Sequence, residues 1–181
     1  MQAAPIGNPL RIEGLRYTMG LLCLMGFGVQ ADNVVTASSV SLEAAQRAAA
    51  ESVRKCQADG YRVSATVVDR SGVTVAVLRA DGAGPHTLDS SRRKAYTAAS
   101  LRETTQKMAA LAAGSPELRG LDRMNDSMLL LAGGFPVRIG GEVVGGLGVG
   151  GAPGGALDEA CGRAGLAAIG ADLYDTSGRT P

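Results

Sequence analysis

Tyr61-Arg62-Val63-Ser64-Ala65-Thr66-Val67-Val68-Asp69-Arg70-Ser71-Gly72-Val73-Thr74-Val75-Ala76-Val77-Leu78-Arg79-Ala80 is the stretch that decides the fold. Tyr61, Val63, Ala65 and Val67 alternate along the first half, the period-two pattern of a strand with one face buried. Asp69-Arg70-Ser71-Gly72 then supplies turn chemistry, and Val73 to Ala80 returns as a second strand, so the unit is a β-hairpin.

Helices flank this hairpin. Upstream, Ser41 is an N-cap for a helix in which Leu42, Ala45, Ala49, Val53 and Cys56 recur at spacings of three and four, stopped by Gly60. Downstream, Asp81-Gly82-Ala83-Gly84-Pro85 breaks the strand, and Asp89 is placed to cap a second helix through Ser90, Ser91, Lys94, Ala95 and Ala98. Glu103 to Ala113 reads as a third helix. Glu117 to Ser127 has no convincing period and reads as a surface excursion. Met128–Ala132 and Phe135–Ile139 read as apolar strands, and Gly140-Gly141 as a hairpin turn into Glu142–Val149. A last helix is expected over Leu157–Leu173, with Leu157, Cys161, Ala164, Ala168 and Leu173 near one face. The order is helix, two strands, helices, three strands, helix. Tight turns make neighbouring strands antiparallel, which predicts an α/β (α+β) sandwich: a five-stranded antiparallel sheet covered by helices.

One domain accommodates 181 residues, and a formal charge of +1 gives no reason to expect a nucleic-acid partner. With 45% hydrophobic but only 3% aromatic residues and 26 glycines, the core is built from Ala, Val and Leu. The first thirty-odd residues differ in composition. Arg11 and Arg16 precede an uncharged run from Tyr17 to Val29, followed by Val29-Gln30-Ala31, the pattern of a cleavable export signal at 1–31 ahead of a single domain at 32–181. The run is well short of the roughly 20 apolar residues of a membrane span, and Leu22 is bulky for a lipobox before Cys23. The expected location is periplasmic or secreted. Export leaves Cys56 and Cys161, both on small-residue helices. They read as two buried thiols, with a disulfide as the alternative.

The glycine-rich run from Gly140 to Gly151 has no Lys-Ser/Thr and sits inside a strand pattern, so it is not a phosphate loop. Its glycines instead allow a helix or a neighbouring subunit to approach the sheet. His86 is the single histidine, which excludes a histidine triad or multi-histidine metal site within one chain. Placed in a loop ahead of a helix, it is either an exposed bystander or an axial ligand to haem iron. Arg92, Arg93 and Lys94 beside Tyr96 form either a solvated face or a set of cations for a carboxylate ligand. The second option is also the basis of an enzymatic reading, in which Arg92 and Lys94 hold a small hydroxy or keto acid and Tyr96 or Asp81 moves a proton.

Val67-Val68-Asp69-Arg70-Ser71-Gly72, Arg79-Ala80-Asp81-Gly82-Ala83, Lys94-Ala95-Tyr96-Thr97-Ala98, Ala132-Gly133-Gly134-Phe135-Pro136-Val137 and Gly141-Glu142-Val143-Val144-Gly145-Gly146-Leu147-Gly148-Val149-Gly150-Gly151 together resemble the GlcG/HbpS (DUF336) pattern in order and spacing. The likeness covers about residues 41 to 173. It implies a profilin-like sandwich, assembly into symmetric homo-oligomers, octamers among them, and haem or related tetrapyrrole binding in some members, with a sensor protein as partner for exported ones. On this resemblance the ligand-binding neighbourhood is His86, Thr87, Arg92, Lys94, Tyr96 and Thr97, with His86 as the iron ligand.

Overall fold

Ser41 caps the first helix as its sequence predicts: its Oγ accepts a hydrogen bond from the Ala44 amide at 3.2 Å, and α1 runs Leu42–Ala58. The computed structural model describes residues 35–173, so the expected export signal and Cys23 lie outside the described residues. From α1 the chain continues through β1 (Ser64–Asp69), β2 (Thr74–Arg79), α2 (His86–Leu101), α3 (Thr105–Gly114), two short 3₁₀ turns, β3 (Gly134–Ile139), β4 (Glu142–Gly150) and α4 (Gly155–Ala168). No helix among the described residues is long and apolar enough to cross a membrane.

The strands form one antiparallel sheet in the order β2-β1-β4-β3. The β1–β2 turn is built by Asp69, whose Oδ1 accepts the amides of Ser71 at 2.8 Å and Val73 at 2.9 Å. Gly140 and Gly141, with φ of +60° and +81°, make the β3–β4 turn, where two successive left-handed residues suit the twist of the hairpin.

Among the described residues the sheet has four strands, not five. Met128–Ala132 is not a strand, because side chains take its backbone groups. Arg93 Nη2 donates to the Met128 carbonyl at 2.6 Å, the Leu129 amide donates to Thr97 Oγ1 at 2.8 Å, and Thr105 Oγ1 donates to the Leu131 carbonyl at 2.6 Å. A segment so engaged has no free ladder for a neighbouring strand. Other boundaries also differ. α2 begins at His86 with no side-chain cap, and Asp89 pairs instead with Arg92 at 3.0 Å and Arg93 at 3.7 Å. α4 stops at Ala168 because Gly170, at φ +66°, turns the chain so that the Ala171 amide reaches the Leu166 carbonyl.

One face of the sheet carries the apolar core. Val63, Ala65, Val67, Phe135, Val137, Leu147 and Val149 pack against Ala45, Ala48, Ala49 and Cys56 of α1 and Cys161 and Leu166 of α4. The buried residues of α4 are Asp158, Glu159, Cys161, Gly162, Gly165 and Leu166, a stripe rotated from the expected one, and Leu157 and Leu173 are exposed. A Cβ on Gly165 would lie 2.2 Å from Ser52 Oγ and 2.5 Å from the Ala48 carbonyl, so α1 and α4 meet nearly backbone to backbone. At that distance Cys56 and Cys161 come within range, with Cα atoms 5.4 Å apart, and they form a disulfide. The expectation of two free buried thiols is therefore corrected.

The other face holds α2, through contacts of a different kind. Ser64 Oγ and Thr87 Oγ1 are 2.7 Å apart, Thr66 Oγ1 and Ser91 Oγ are 2.8 Å apart, and Val68 packs on Ala95 and Ala99. Two strand residues advance about 6.8 Å and four helix residues about 6.0 Å, so β1 and α2 keep step along this row. The β4 glycines make room for it. A Cβ on Gly146 would lie 2.2 Å from the Ala95 carbonyl and one on Gly148 would lie 2.1 Å from the Ser91 carbonyl. The close approach expected of the glycine-rich strand is that of α2.

Candidate functional site

Because α2 is held this close to the sheet, its first three turns present His86, Ser90 and Lys94, at spacings of four, along one edge of a cleft. Leu131 and Ala132, Gly151 and Ala152 beyond β4, and Gly155 and Asp158 of α4 form the remaining walls, enclosing about 470 Å³. That volume lies in the range of small-molecule sites. His86 stands exposed at the start of α2, its ring against the Cα of Gly84, where a Cβ would lie 2.5 Å from Cε1. Among the described residues, no hydrogen bond or ion pair engages either of its ring nitrogens.

A buried ion pair closes the inner end of the cleft. Lys94 Nζ donates to Asp158 Oδ2 at 2.8 Å and to the Val149 carbonyl at 2.9 Å, and the two side chains are only 5% and 4% exposed. Asp158 Oδ1 accepts the Ala152 amide at 3.0 Å, which fixes the loop between β4 and α4. Burial pushes the Asp158 carboxyl above its ordinary range, and the neighbouring Lys94 ammonium opposes that rise. Burial likewise raises Glu159, against the pull of Arg163, whose Nη2 lies 3.0 Å from Glu159 Oε2, and of Lys94. No group of three or more metal-ligating side chains occurs among the described residues.

The residues expected to form one neighbourhood are thus divided. His86 and Lys94 line the cleft, but Lys94 is committed to Asp158 and is not a free cation for a ligand carboxylate. Thr87 and Thr97 are interior fasteners. Thr87 Oγ1 donates to the Gly84 carbonyl at 2.6 Å and meets Ser64, while Thr97 Oγ1 donates to the Arg93 carbonyl at 2.8 Å and accepts the Leu129 amide. Arg92 turns to Asp89 and to Ser127 Oγ at 3.2 Å. Tyr96 borders a separate cleft near the C-terminal end of α2. Asp158 was missed by sequence reasoning, although its place three residues before Cys161 puts a carboxylate on the buried stripe.

The family model for the haem-degrading protein HbpS-like family matches residues 40–167. A solved double mutant of Streptomyces reticuli HbpS is 38% identical, with 90% of this chain and 97% of that one covered and a TM-score of 0.71. A second HbpS structure is 44% identical over 74% of this chain and 92% of its own, with a TM-score of 0.69. An uncharacterised 15.0 kDa protein from the dhaT-dhaS intergenic region of Citrobacter freundii is 33% identical over 115 residues, 63% of this chain and 81% of that protein.

Proposed function

This chain belongs to the HbpS-like family, and from that premise we propose that it is an exported haem-binding protein whose site is the His86 cleft. The single observation that carries the reading is the His86 imidazole, exposed at the mouth of a preformed cleft with no partner among the described residues on either nitrogen. A neutral imidazole nitrogen is an ordinary axial donor to haem iron. The cleft fits the group in its chemistry as well. Leu131, which is 58% exposed, Ala132 and Ala152 offer an apolar wall, and the floor contains no uncompensated charge because Lys94 and Asp158 neutralise each other. When bound, haem supplies a redox-active iron and a broad apolar plane.

The protein's own contribution is positional. The Ser64–Thr87 and Thr66–Ser91 pairs hold the first turns of α2 on the sheet, and with them His86. The pair of Lys94 and Asp158 holds the opposite rim through Ala152. Export rests on the Arg11–Ala31 pattern, and N-terminal sequencing of secreted material should begin at Asp32. Exposed Leu88, Leu131 and Leu157 support assembly into a homo-oligomer. The enzymatic reading loses its carboxylate clamp, because Lys94 is held in a buried pair with Asp158 and Arg92 does not line the His86 cleft.

Titration of the chain from Asp32 onward with hemin, followed by absorbance, tests the proposal. Wild type should develop a Soret band distinct from that of free hemin, and its absence would refute haem binding. His86→Ala should shift the band and weaken affinity while costing under about 0.5 kcal/mol of stability, as exposed substitutions do. Tyr96→Phe should leave the spectrum unchanged, since Tyr96 lies outside the His86 cleft. The same Soret position in His86→Ala and wild type would retire His86 as ligand.

A further inference from the structure

The second cleft, near the C-terminal end of α2, encloses about 240 Å³, and its walls include Arg70, Ser71, Tyr96, Ser100 and Arg102. Its composition is unlike that of the His86 cleft: the residues around it carry two guanidinium groups, two aliphatic hydroxyls and a phenol, with little apolar wall.

Two backbone features build it. Arg102 follows the last residue of α2 at φ +56°, ψ +30°, and is the only non-glycine with positive φ among the described residues. Glycine is the usual occupant of such a helix-ending position, because a Cβ there is strained. Arg138 Nη2 holds the Arg102 carbonyl at 2.8 Å. Strain of this kind persists where the surroundings over-determine it and is concentrated at ligand-binding sites. On the facing wall, Gly72, at φ +84°, brings the Asp69–Gly72 turn flat against the Tyr96 ring, where a Cβ would lie 2.7 Å from Cδ2. Asp69 pins this turn through Ser71 and Val73, so Arg70 and Ser71 are presented from a rigid loop.

The charges are unbalanced. Arg70 Nη1 pairs with Glu142 Oε1 at 2.7 Å, in an exposed bridge whose side chains are 37% and 49% accessible, and Glu142 also accepts from Ser38. Among the described residues, no carboxylate lies within ion-pairing distance of the Arg102 guanidinium. An exposed pair such as Arg70–Glu142 contributes little and exchanges readily for another anion, whereas a guanidinium fork matches an oxyanion in two directions at once.

We propose that Arg70 and Arg102, with Ser71, Ser100 and Tyr96 as hydroxyl partners, form a second ligand site for a small oxyanion, a carboxylate or a phosphate. The site is independent of the haem reading. The anion sits between the two guanidinium groups, displaces Glu142 from Arg70, and compensates the charge on Arg102. The carbonyls at the end of α2 favour cations nearby, so they favour the two arginines at this position and oppose an anion only weakly.

Calorimetric titration of the chain from Asp32 onward, at low ionic strength, with malonate and separately with inorganic phosphate, tests the site and distinguishes the two sources of oxyanion. Saturable heat with either probe is expected, and no heat with either at millimolar concentration would overturn the proposal. Arg102→Gly is the informative variant, because glycine adopts the left-handed conformation freely and keeps the carbonyl that Arg138 holds. It should fold with a melting temperature no lower than wild type and lose about tenfold or more in oxyanion affinity. Affinity equal to wild type in this variant would overturn the assignment. Arg70→Gln should show a loss of the same order, which keeps the test decisive should the glycine variant fold poorly. The hemin spectrum of Arg102→Gly should match wild type, so failure of this site and failure of the haem site are separately visible.

Discussion

Replacing Gly148 with alanine puts the packing of α2 on the sheet to a quantitative test. The added Cβ would stand 2.1 Å from the Ser91 carbonyl oxygen, 2.5 Å from the Ala95 amide nitrogen and 3.1 Å from Lys94 Cβ. A carbon and a carbonyl oxygen come no closer than about 3.3 Å, so α2 must withdraw by about 1.2 Å at this point. Both obstructing atoms are helix backbone and have no side-chain freedom with which to move aside. A withdrawal of that size stretches the Ser64–Thr87 and Thr66–Ser91 contacts from 2.7 and 2.8 Å to well beyond hydrogen-bonding range. Two such bonds contribute about 1–3 kcal/mol together, and overpacking of a tight interface adds about 1–3 kcal/mol. A loss of about 2–6 kcal/mol is expected, read as a lower urea midpoint at unchanged slope or as failure to fold. Gly154→Ala is the matched control: its Cβ meets nothing within 4 Å and its φ of −163° is extended, so it should fall within about 0.5 kcal/mol of wild type. A Gly148→Ala protein with the wild-type midpoint would refute the claim that these glycines set the distance between α2 and the sheet. It would also remove the argument that this distance positions His86.

The disulfide should contribute strongly, because it closes a separation of 105 residues. The chain-entropy model gives about 4.7 kcal/mol for a loop of that order, so Cys56→Ala with Cys161→Ala should lose about 3–5 kcal/mol in urea unfolding, and coincident oxidised and reduced transitions would contradict this. Glu159 gives a signed pH effect. Burial raises its folded pKa above the unfolded value of 4.5, so the folded state binds more protons across the intervening window. The stability it contributes is fully present below the unfolded pKa and is lost as pH rises through the folded one. Glu159→Gln should therefore gain on wild type as pH rises through that window, in urea midpoints measured from acid to neutral pH, and a constant difference would be evidence against the shift.

Several elements with a local signal are legible in the chain alone, although the Asp89 cap is not among them, since Asp89 pairs with Arg92 and Arg93. The alternation of Val63, Ala65 and Val67, the Asp69–Gly72 turn, the Ser41 cap and the Gly140-Gly141 hairpin each depend on neighbours a few residues away and are in place, but β1 begins only at Ser64 and its other face is buried by α2 rather than open. The motif order also sufficed for the family, since it is a property of the chain alone. Tertiary structure decided whatever depends on partners distant in sequence. Met128–Ala132 has the composition of a strand, but Arg93, Thr97 and Thr105 take its backbone groups from helices some thirty residues away, and no local period records that. Cys56 and Cys161 give no sign of pairing until Gly165 lets α1 and α4 approach within a Cβ of contact. Thr87 and Thr97 look like site hydroxyls in a linear motif, yet helix geometry turns them inward, as it turns Lys94 onto Asp158. His86, Ser90 and Lys94 share the cleft because they lie four residues apart on one helix, whereas Tyr96 falls outside that row and belongs with Arg70 and Arg102. A motif fixes which residues are near in the chain, but the 3.6-residue turn and the height of α2 above the glycines of β4 fix which of them meet.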